Sequence, residues 1–452
     1  MAKIKTRYVC QQCGYSSAKW LGRCPQCQEW DSLVEEIESG SKITTGYISG
    51  GTAAKPRKLI DVEVGTVERM PTGISEFDRV LGGGIVPGSL ILLGGDPGVG
   101  KSTLALDAGI KFSNFGSTVL YVSGEESEMQ TKMRAKRIGQ ASEHMLIMTE
   151  TLLSNILLQA SEIQPKLLVI DSIQTMYNEE IASSVGSVAQ LRECTAKLLK
   201  FAKSSGVAVL VIGHVTKDGN IAGPKLLEHM VDVVLHFEGE RSYSFRVLRS
   251  LKNRFGTTDE AGIFVMGEQG LQEVQNPAAL FLQERTKAAP GAVVTASLEG
   301  NRPLLVEFQA LVSQTPFGMP RRTAVGFDYN RVNMLIAILD KRLGIDMSMQ
   351  DAYINVVGGL KINETAADLA VMAALISSYR DRAVAQDLLV LGEVGLTGEI
   401  RRVAHLPKRL KEAKAVGFNK FIIPAANLSE VKEESGVIAV DNLEEALKKI
   451  FS

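Results

Sequence analysis

An apolar run, "SLILL" (89–93), leads straight into "GGDPGVGKSTLAL" (94–106), in which four of the first ten residues are glycine. Regular packing calls for side chains at such a junction, and glycine takes their place where something must approach the backbone itself. Gly95-x4-Gly100-Lys101-Ser102 has P-loop spacing, and the strand before it and helix after it supply the context that motif requires. In such a loop successive N–H groups turn inward on an anion, and the helix N-terminus adds positive potential. Lys101 then reaches the β- and γ-phosphates, and Ser102 can ligate Mg²⁺. The nucleotide-binding candidates are Gly95, Asp96, Pro97, Gly98, Val99, Gly100, Lys101, Ser102 and Thr103, with ATP and Mg²⁺ as cofactors. The bland alternative, a lone glycine turn, does not account for Lys-Ser directly after it.

A P-loop must end a strand of a mostly parallel sheet, and the flanking sequence has that form. Between about 59 and 280, the runs "STVLYVSG" (117–124), "KLLVID" (166–171), "VAVLVIG" (207–213), "DVVLHFEG" (232–239) and "SFRVLRSLKN" (244–253) alternate with helical patterns. Near-continuous apolar strands between helices indicate a sheet covered on both faces, and the more alternating later strands indicate an antiparallel edge. A second α/β region follows from about 285, with helical "RVNMLIAILDKRLG", "AADLAVMAALISSYRD" and "LPKRLKEAKAVG" and strand-like "DAYINVVG", "LLVLGEVG" and "KFIIP". No run of about 18 apolar residues exists and the N-terminus has no secretory signal pattern, so the expected location is cytoplasmic, with no membrane partner.

Other strand ends carry candidate chemistry. Asp171 closes "LLVID" as a Walker B acid that would hold Mg²⁺. Glu125 and Glu126 follow "VLYVSG", where a carboxylate can orient and deprotonate water; a solvated acid pair capping a helix is the competing reading. His214 ends the run at 207–213, on the carboxyl edge where ligands of such sheets lie. It could sense the γ-phosphate, or be a strand-end histidine with no such role.

Four of the five cysteines form Cys10-x2-Cys13 and Cys24-x2-Cys27. In a chain with no secretion signal these thiols stay reduced, and two CxxC turns can point four thiolates at one structural Zn²⁺. A redox pair needs only one CxxC in a βαβ setting. Residues 1–28 hold five Lys and Arg and no acid, a charge that could face phosphate or merely solvate the terminus. Cys194 lies in an amphipathic pattern and reads as a small buried residue. "SGSKITTGYISGGTAAKPRK" (39–58) reads as a linker.

The four-cysteine N-terminus, "PTGISEFDRVLGGGIVPGS", "GEES", "LLVID", "VIGHVTKDGN" and above all "SLKNRFG" (250–256) together resemble a bacterial DNA-repair branch of the RecA-like ATPases, over essentially all 452 residues. The resemblance implies an α/β chain with a zinc ribbon or knuckle at 1–37, a linker at 38–58, a RecA-like P-loop core at 59–284 and a Lon-protease-like α/β domain at 285–452. It implies a homo-hexamer with ATP between neighbours, where Lys252 and Arg254 would reach the next subunit's γ-phosphate. Without it, "KNRFG" reads as a basic turn after a strand. Loops 178–187 and 215–225, the latter with Lys217 and Lys225, occupy positions where RecA-like proteins contact DNA. Against the Lon pattern, Ala366 stands at the serine position and Pro407 at the lysine position, with Lys408 one step away and Thr365 a neighbouring hydroxyl, so the fold is expected without proteolysis.

The expected activity is a DNA-dependent ATPase whose catalytic candidates are Lys101, Glu125, Asp171, Lys252 and Arg254. It would translocate on single-stranded DNA, act on branched DNA and drive branch migration alongside the RecA recombinase. Two alternatives stay open: an ATP-dependent protease, and a KaiC-like regulatory ATPase acting on protein partners.

Overall fold

The structure, a computed structural model, describes residues 5–10, 15–26, 28–30, 32–38, 68–213, 225–239, 245–267, 269–274, 282, 288–316 and 318–452. Cys13, Cys27, His214, Lys217 and the linker at 39–58 lie outside the described residues. The chain divides into two compact units, Met1–Glu273 and Val274–Ser452.

The N-terminal ribbon is a three-stranded antiparallel sheet of β1 (Lys5–Cys10), β2 (Ser16–Ser17) and β3 (Leu33–Glu38), in the order β2-β1-β3. Each cysteine knuckle begins with a matching turn. Cys10 N–H donates to Tyr15 O (2.8 Å) and Cys24 N–H to Glu29 O (2.9 Å). Cys10, Cys24 and Leu33 form its small buried cluster, far less apolar surface than a free-standing domain needs. The chain's two tryptophans both lie here and both are exposed, Trp20 by 53% and Trp30 by 68%. Their rings flank Gly22, and the Arg23 guanidinium lies 5.6 Å from the centre of the Trp30 ring.

Nine strands form the sheet of the first unit: β4 (Leu90–Gly95), β5 (Val119–Ser123), β6 (Met145–Thr149), β7 (Leu167–Asp171), β8 (Ala208–Ile212), β9 (Val233–Glu238), β10 (Phe245–Asn253), β11 (Ala261–Gly267) and β12 (Gly270–Glu273). Their order is β12-β11-β10-β9-β4-β8-β7-β5-β6. Strands β4 to β9 pair in parallel and β10 to β12 antiparallel, so the expected antiparallel edge is present. The helices are α1 (Ser75–Leu81), α2 (Lys101–Asn114), α3 (Glu128–Ile138), α4 (Leu153–Ile163), α5 (Val188–Ser205) and α6 (Lys225–Met230). Two apolar clusters cover the two faces, one built around α1 and α2 and the other around α4 and α5. That two-sided cover is why β4, β5, β7 and β8 are buried at every position.

The second unit holds β13 (Ala292–Glu299), β14 (Arg302–Gln314), β15 (Arg322–Val325), β16 (Gln350–Val356), β17 (Leu388–Val390), β18 (Glu393–Val394), β19 (Ile400–Arg401), β20 (Lys420–Pro424) and β21 (Val437–Val440). Seven of them make a mixed sheet ordered β15-β16-β14-β13-β17-β20-β21, while β18 and β19 pair separately. Its helices are α7 (Tyr329–Leu343), α8 (Asp368–Tyr379), α9 (Leu406–Ala415) and α10 (Leu443–Ile450). Helix α8 is buried on all sides from Asp368 to Ser377, as its unbroken apolar sequence requires. The β13–β14 hairpin has no counterpart among the sequence expectations. Among the described residues no helix is long and apolar enough to cross a membrane.

Candidate nucleotide-binding site

The loop after β4 demands glycine at specific points. Gly95 has φ 148°, and a Cβ there would lie 2.2 Å from the Phe237 carbonyl oxygen. Gly98 and Gly100 also take positive φ, at 80° and 115°. Lys101, 4% exposed, folds back over its own loop and donates to Gly95 O (2.8 Å) and Asp96 O (2.9 Å). Burial pulls its pKa down to about 8, against the pull of the Asp171, Asp96 and Glu125 carboxylates. Both acceptors are ordinary carbonyls, so an arriving phosphate can take the ammonium over as a stronger, charged partner.

Strands β5 and β7 are neighbours, and their carboxyl ends bring the acids to this loop. Asp171 accepts from Ser102 Oγ at Oδ1 (3.1 Å) and from Tyr121 OH at Oδ2 (2.6 Å). A hydroxyl and a carboxylate oxygen so close together are the hard donors that suit Mg²⁺, and the residues present fit it. Ser172, joined to Asp171 by a cis peptide bond, donates to Glu125 Oε1 (2.6 Å). The acid pair at 125–126 is thereby sorted. Glu126 is held by Arg134 of α3, whereas the exposed Glu125 is drawn toward the end of β7. Gly124 permits the approach, since a Cβ there would meet Thr175 Oγ1 at 2.1 Å.

Lys252 and Arg254 lie at the other edge of the sheet. Asn253 pairs with Val233, which pairs with Ile91 near the start of β4, whereas the P-loop leaves the end of that strand. At about 3.3 Å per residue, the six residues of β4 separate the two edges by roughly 16 Å. The structure uses Lys252 inside its own subunit. Its ammonium donates to Glu228 O (2.7 Å), His229 O (3.2 Å) and Val231 O (2.8 Å), closing the C-terminus of α6. Burial, with Arg254 nearby, pushes its pKa down. The Arg254 side chain is 54% exposed and reaches Asp232 Oδ1 at 3.4 Å, while its backbone N–H donates to Asp232 O (3.1 Å). Buried Asp232 also accepts from Lys203 Nζ (2.7 Å) and Leu90 N–H (3.1 Å). Arg69 braces the same turn through Phe255 O and Leu81 O.

The loop at 178–187 is pinned rather than open. The Gln190 amide donates to Asn178 O, Ile181 O and Ser183 O at 3.1–3.2 Å, and Lys197 holds Glu180 at 2.6 Å. Its charges are the acids Glu179 and Glu180, so it offers little to phosphate. In the second unit Ala366 is buried at the serine position, while Pro407 and Lys408 are exposed at the start of α9. Fully buried Arg409 instead pairs with Glu364, which also accepts from Leu298 N–H (2.9 Å). Thr365 Oγ1 donates to Glu393 (2.7 Å).

In the ribbon, Cys10 and Cys24 share the buried cluster, and Cys10 Sγ lies 3.2 Å from Ser32 Oγ. Two buried thiols on matched turns fit a tetrahedral zinc site.

Sequence reasoning missed Tyr121, Ser172, Lys203, Asp232, Glu364 and Arg409. Only Tyr121 carried a signal: a tyrosine inside a fully buried strand needs a partner for its hydroxyl.

Three family descriptions match the chain: "AAA domain" over residues 55–220, "Rubredoxin metal binding domain" over 8–35 and "Subunit ChlI of Mg-chelatase" over 310–427. Curated relatives called DNA repair protein RadA match nearly end to end. That of Halalkalibacterium halodurans is 51% identical over 452 residues, and that of Bacillus subtilis 50% over 453, each match covering 99% of both chains. That of Listeria monocytogenes is 48% identical, again over 99% of both. Among solved structures, the ATPase domain of G40P matches 47% of this chain and 93% of its own, at 16% identity and TM-score 0.40. A KaiC-like protein from Pyrococcus horikoshii matches 46% of this chain and all of its own, at 23% identity and TM-score 0.39.

Proposed function

Because the chain belongs to the family of the DNA repair protein RadA, a family of zinc-ribbon, RecA-like and Lon-like parts, we propose that it is a DNA-stimulated ATPase whose active site is completed by a neighbouring copy. The observation that supports this reading is that the candidate residues lie at two opposite edges of one sheet. Lys101, Ser102, Glu125 and Asp171 meet at the carboxyl edge, while the half-free Arg254 projects from the amino edge. A head-to-tail ring lets one copy's Arg254 face the next copy's P-loop, and a homo-hexamer closes such a ring.

In the proposed cycle Lys101 leaves the Gly95 and Asp96 carbonyls for the β- and γ-phosphates of ATP. Ser102 and Asp171 would hold Mg²⁺, which when bound would supply charge neutralisation. Glu125, oriented by Ser172, takes the proton of the water that attacks the γ-phosphorus. The bond to the β–γ bridging oxygen breaks, and ADP and phosphate leave. The neighbour's Arg254 stabilises charge on the transferring group. His214, two residues past β8 in the sequence, serves as the γ-phosphate sensor.

DNA enters on the 215–225 side, through Lys217 and Lys225, because the loop at 178–187 is acidic and pinned. Contact with phosphates alone is independent of sequence and weakens as salt rises. We assign the ribbon (1–37) to structural zinc on Cys10, Cys13, Cys24 and Cys27, the span 38–58 to a linker, 59–284 to the motor, and 285–452 to a Lon-like scaffold without proteolysis. Ala366 and Pro407 support the last assignment, since the serine and lysine positions then hold neither nucleophile nor base. The proposed setting is the cytoplasm, where the motor translocates on single-stranded DNA and extends RecA-made joints by branch migration.

The test is ATP hydrolysis by Lys101→Ala and Arg254→Ala chains, separately and mixed, at low salt with single-stranded DNA. Each alone should be nearly inactive. A 1:1 mixture should recover about a quarter of the native rate, the fraction of neighbour pairs with both halves intact. No recovery from chains shown to exchange would mean that the site is complete within one copy. Stimulation by DNA that vanishes with salt supports the motor, and a flat response favours a protein-directed ATPase.

A further inference from the structure

The phenol of Tyr121 has no place in the scheme above, yet it makes the shorter of the two hydroxyl contacts on the Asp171 carboxylate. Tyr121 sits mid-strand in β5, 1% exposed, among the apolar residues under α2. On the neighbouring strand its register partner is Val169, and Asp171 stands opposite Ser123, two residues further along. That diagonal is within reach of an aromatic side chain, and the hydroxyl arrives 2.6 Å from Asp171 Oδ2. The other oxygen, Oδ1, lies 3.1 Å from Ser102 Oγ. A carboxylate can only accept at both positions, so two donors from two elements hold it in one orientation. An ammonium waits close by. Lys101 occupies two carbonyls of its own loop, and Asp171 is the carboxylate that acts on it most strongly.

We propose that Tyr121 is a positioning residue for the metal-binding side of the site: its hydroxyl keeps the Asp171 carboxylate beside Ser102, ready for a divalent cation, and away from an ion pair with Lys101. The inference rests on the reading of Ser102 and Asp171 as the Mg²⁺-holding pair and adds what fixes that pair in place. Groups that orient a metal's ligands typically alter metal affinity by about 10- to 100-fold when removed. Phenylalanine at this position keeps the buried ring and deletes only the donor, so the core under α2 stays filled.

The experiment follows binding of a fluorescent ATP analogue by anisotropy while Mg²⁺ is raised from a chelator-buffered zero, using the full native chain, Tyr121→Phe, Asp171→Asn and the double variant. Tyr121→Phe should move the Mg²⁺ midpoint upward by about tenfold or more, with binding recovered at saturating Mg²⁺. The double variant should be no worse than Asp171→Asn alone, since both act on one group. A melt without metal or nucleotide establishes that each variant is folded. If Asp171→Asn moves the midpoint and Tyr121→Phe leaves it unchanged, Tyr121 only packs and the inference is overturned. If neither variant moves it, the metal-site reading itself fails, and the inference with it. A midpoint shift in Tyr121→Phe that adds fully to that of Asp171→Asn also overturns it, because the hydroxyl would then act elsewhere.

Discussion

Ser172 and Glu125 show how a single hydroxyl can set two adjacent acids apart. Glu126 is matched by Arg134, and Glu125 takes the Ser172 hydroxyl at 2.6 Å. Removing the base outright should cost the hydrolysis rate about 10²- to 10⁴-fold. Glu125→Gln is expected in that range, with nucleotide binding retained. Ser172→Ala leaves the carboxylate present but less well aimed, so its loss should be smaller and should fall on kcat rather than KM. Steady-state kinetics on the two variants and Glu126→Gln checks this, and a Glu126→Gln loss equal to that of Glu125→Gln would reverse the assignment. At this scale the sequence was readable where backbone made the demand. Gly95 is forced because a Cβ would strike Phe237 O, and a P-loop spacing records that demand. Glu125 was the acid chosen from the sequence, but the contact that distinguishes it from Glu126, the Ser172 hydroxyl, was not readable, because it depends on how β5 aligns with β7.

Helix α6 and the turn after β10 behave as one piece. Lys252 gathers three carbonyls at the end of α6, and Arg254 stands two residues further along. Helix α6 begins at Lys225, where the second candidate DNA loop ends, so Lys252 links that loop to the turn carrying Arg254. Each lost charged hydrogen bond costs about 1.5–3 kcal/mol in such settings. Lys252→Met should therefore lower the melting temperature and abolish DNA stimulation while basal hydrolysis persists. Arg254→Ala should leave the melting temperature unchanged and remove hydrolysis with or without DNA. Paired melts and rate measurements separate the two, and identical behaviour would dissolve the distinction. The family resemblance implied a common role for these two cations, and "KNRFG" by itself shows neither the register shift between Ser250 and Lys252 nor the carbonyls that Lys252 takes in its own subunit. Strand β6 and the β13–β14 hairpin escaped notice for a related reason. The apolar run in "MLIMT" is only four residues long, too short for periodicity to tell a strand from a buried helix segment.

Across the whole molecule, the alternation of strands and helices and the position of the P-loop were legible from the sequence, since each follows from burial on two faces of one sheet. What was not legible was that the turn with Lys252 and Arg254 lies at the edge of that sheet opposite the P-loop. That follows from the antiparallel return of β10, which no local pattern encodes. Cysteine spacing did announce the ribbon, and its buried cluster of Cys10, Cys24 and Leu33 is too small to hold a fold without metal. Stripping zinc with a strong chelator should unfold it and leave the two large sheets in place. Cys194 should stay unreactive through that treatment, because burial raises its pKa to about 11. Thiol titration should then count four reactive groups after chelation and all five after denaturation; any thiol reacting before chelation would argue against a closed zinc site. Trp20 and Trp30 give this an optical counterpart. Because the chain has no tryptophan outside the ribbon, its indole emission reports on the first thirty residues and is blind to the ATPase core. Fluorescence and circular dichroism should therefore trace different unfolding curves, and a fluorimeter can watch the ribbon alone in the intact protein.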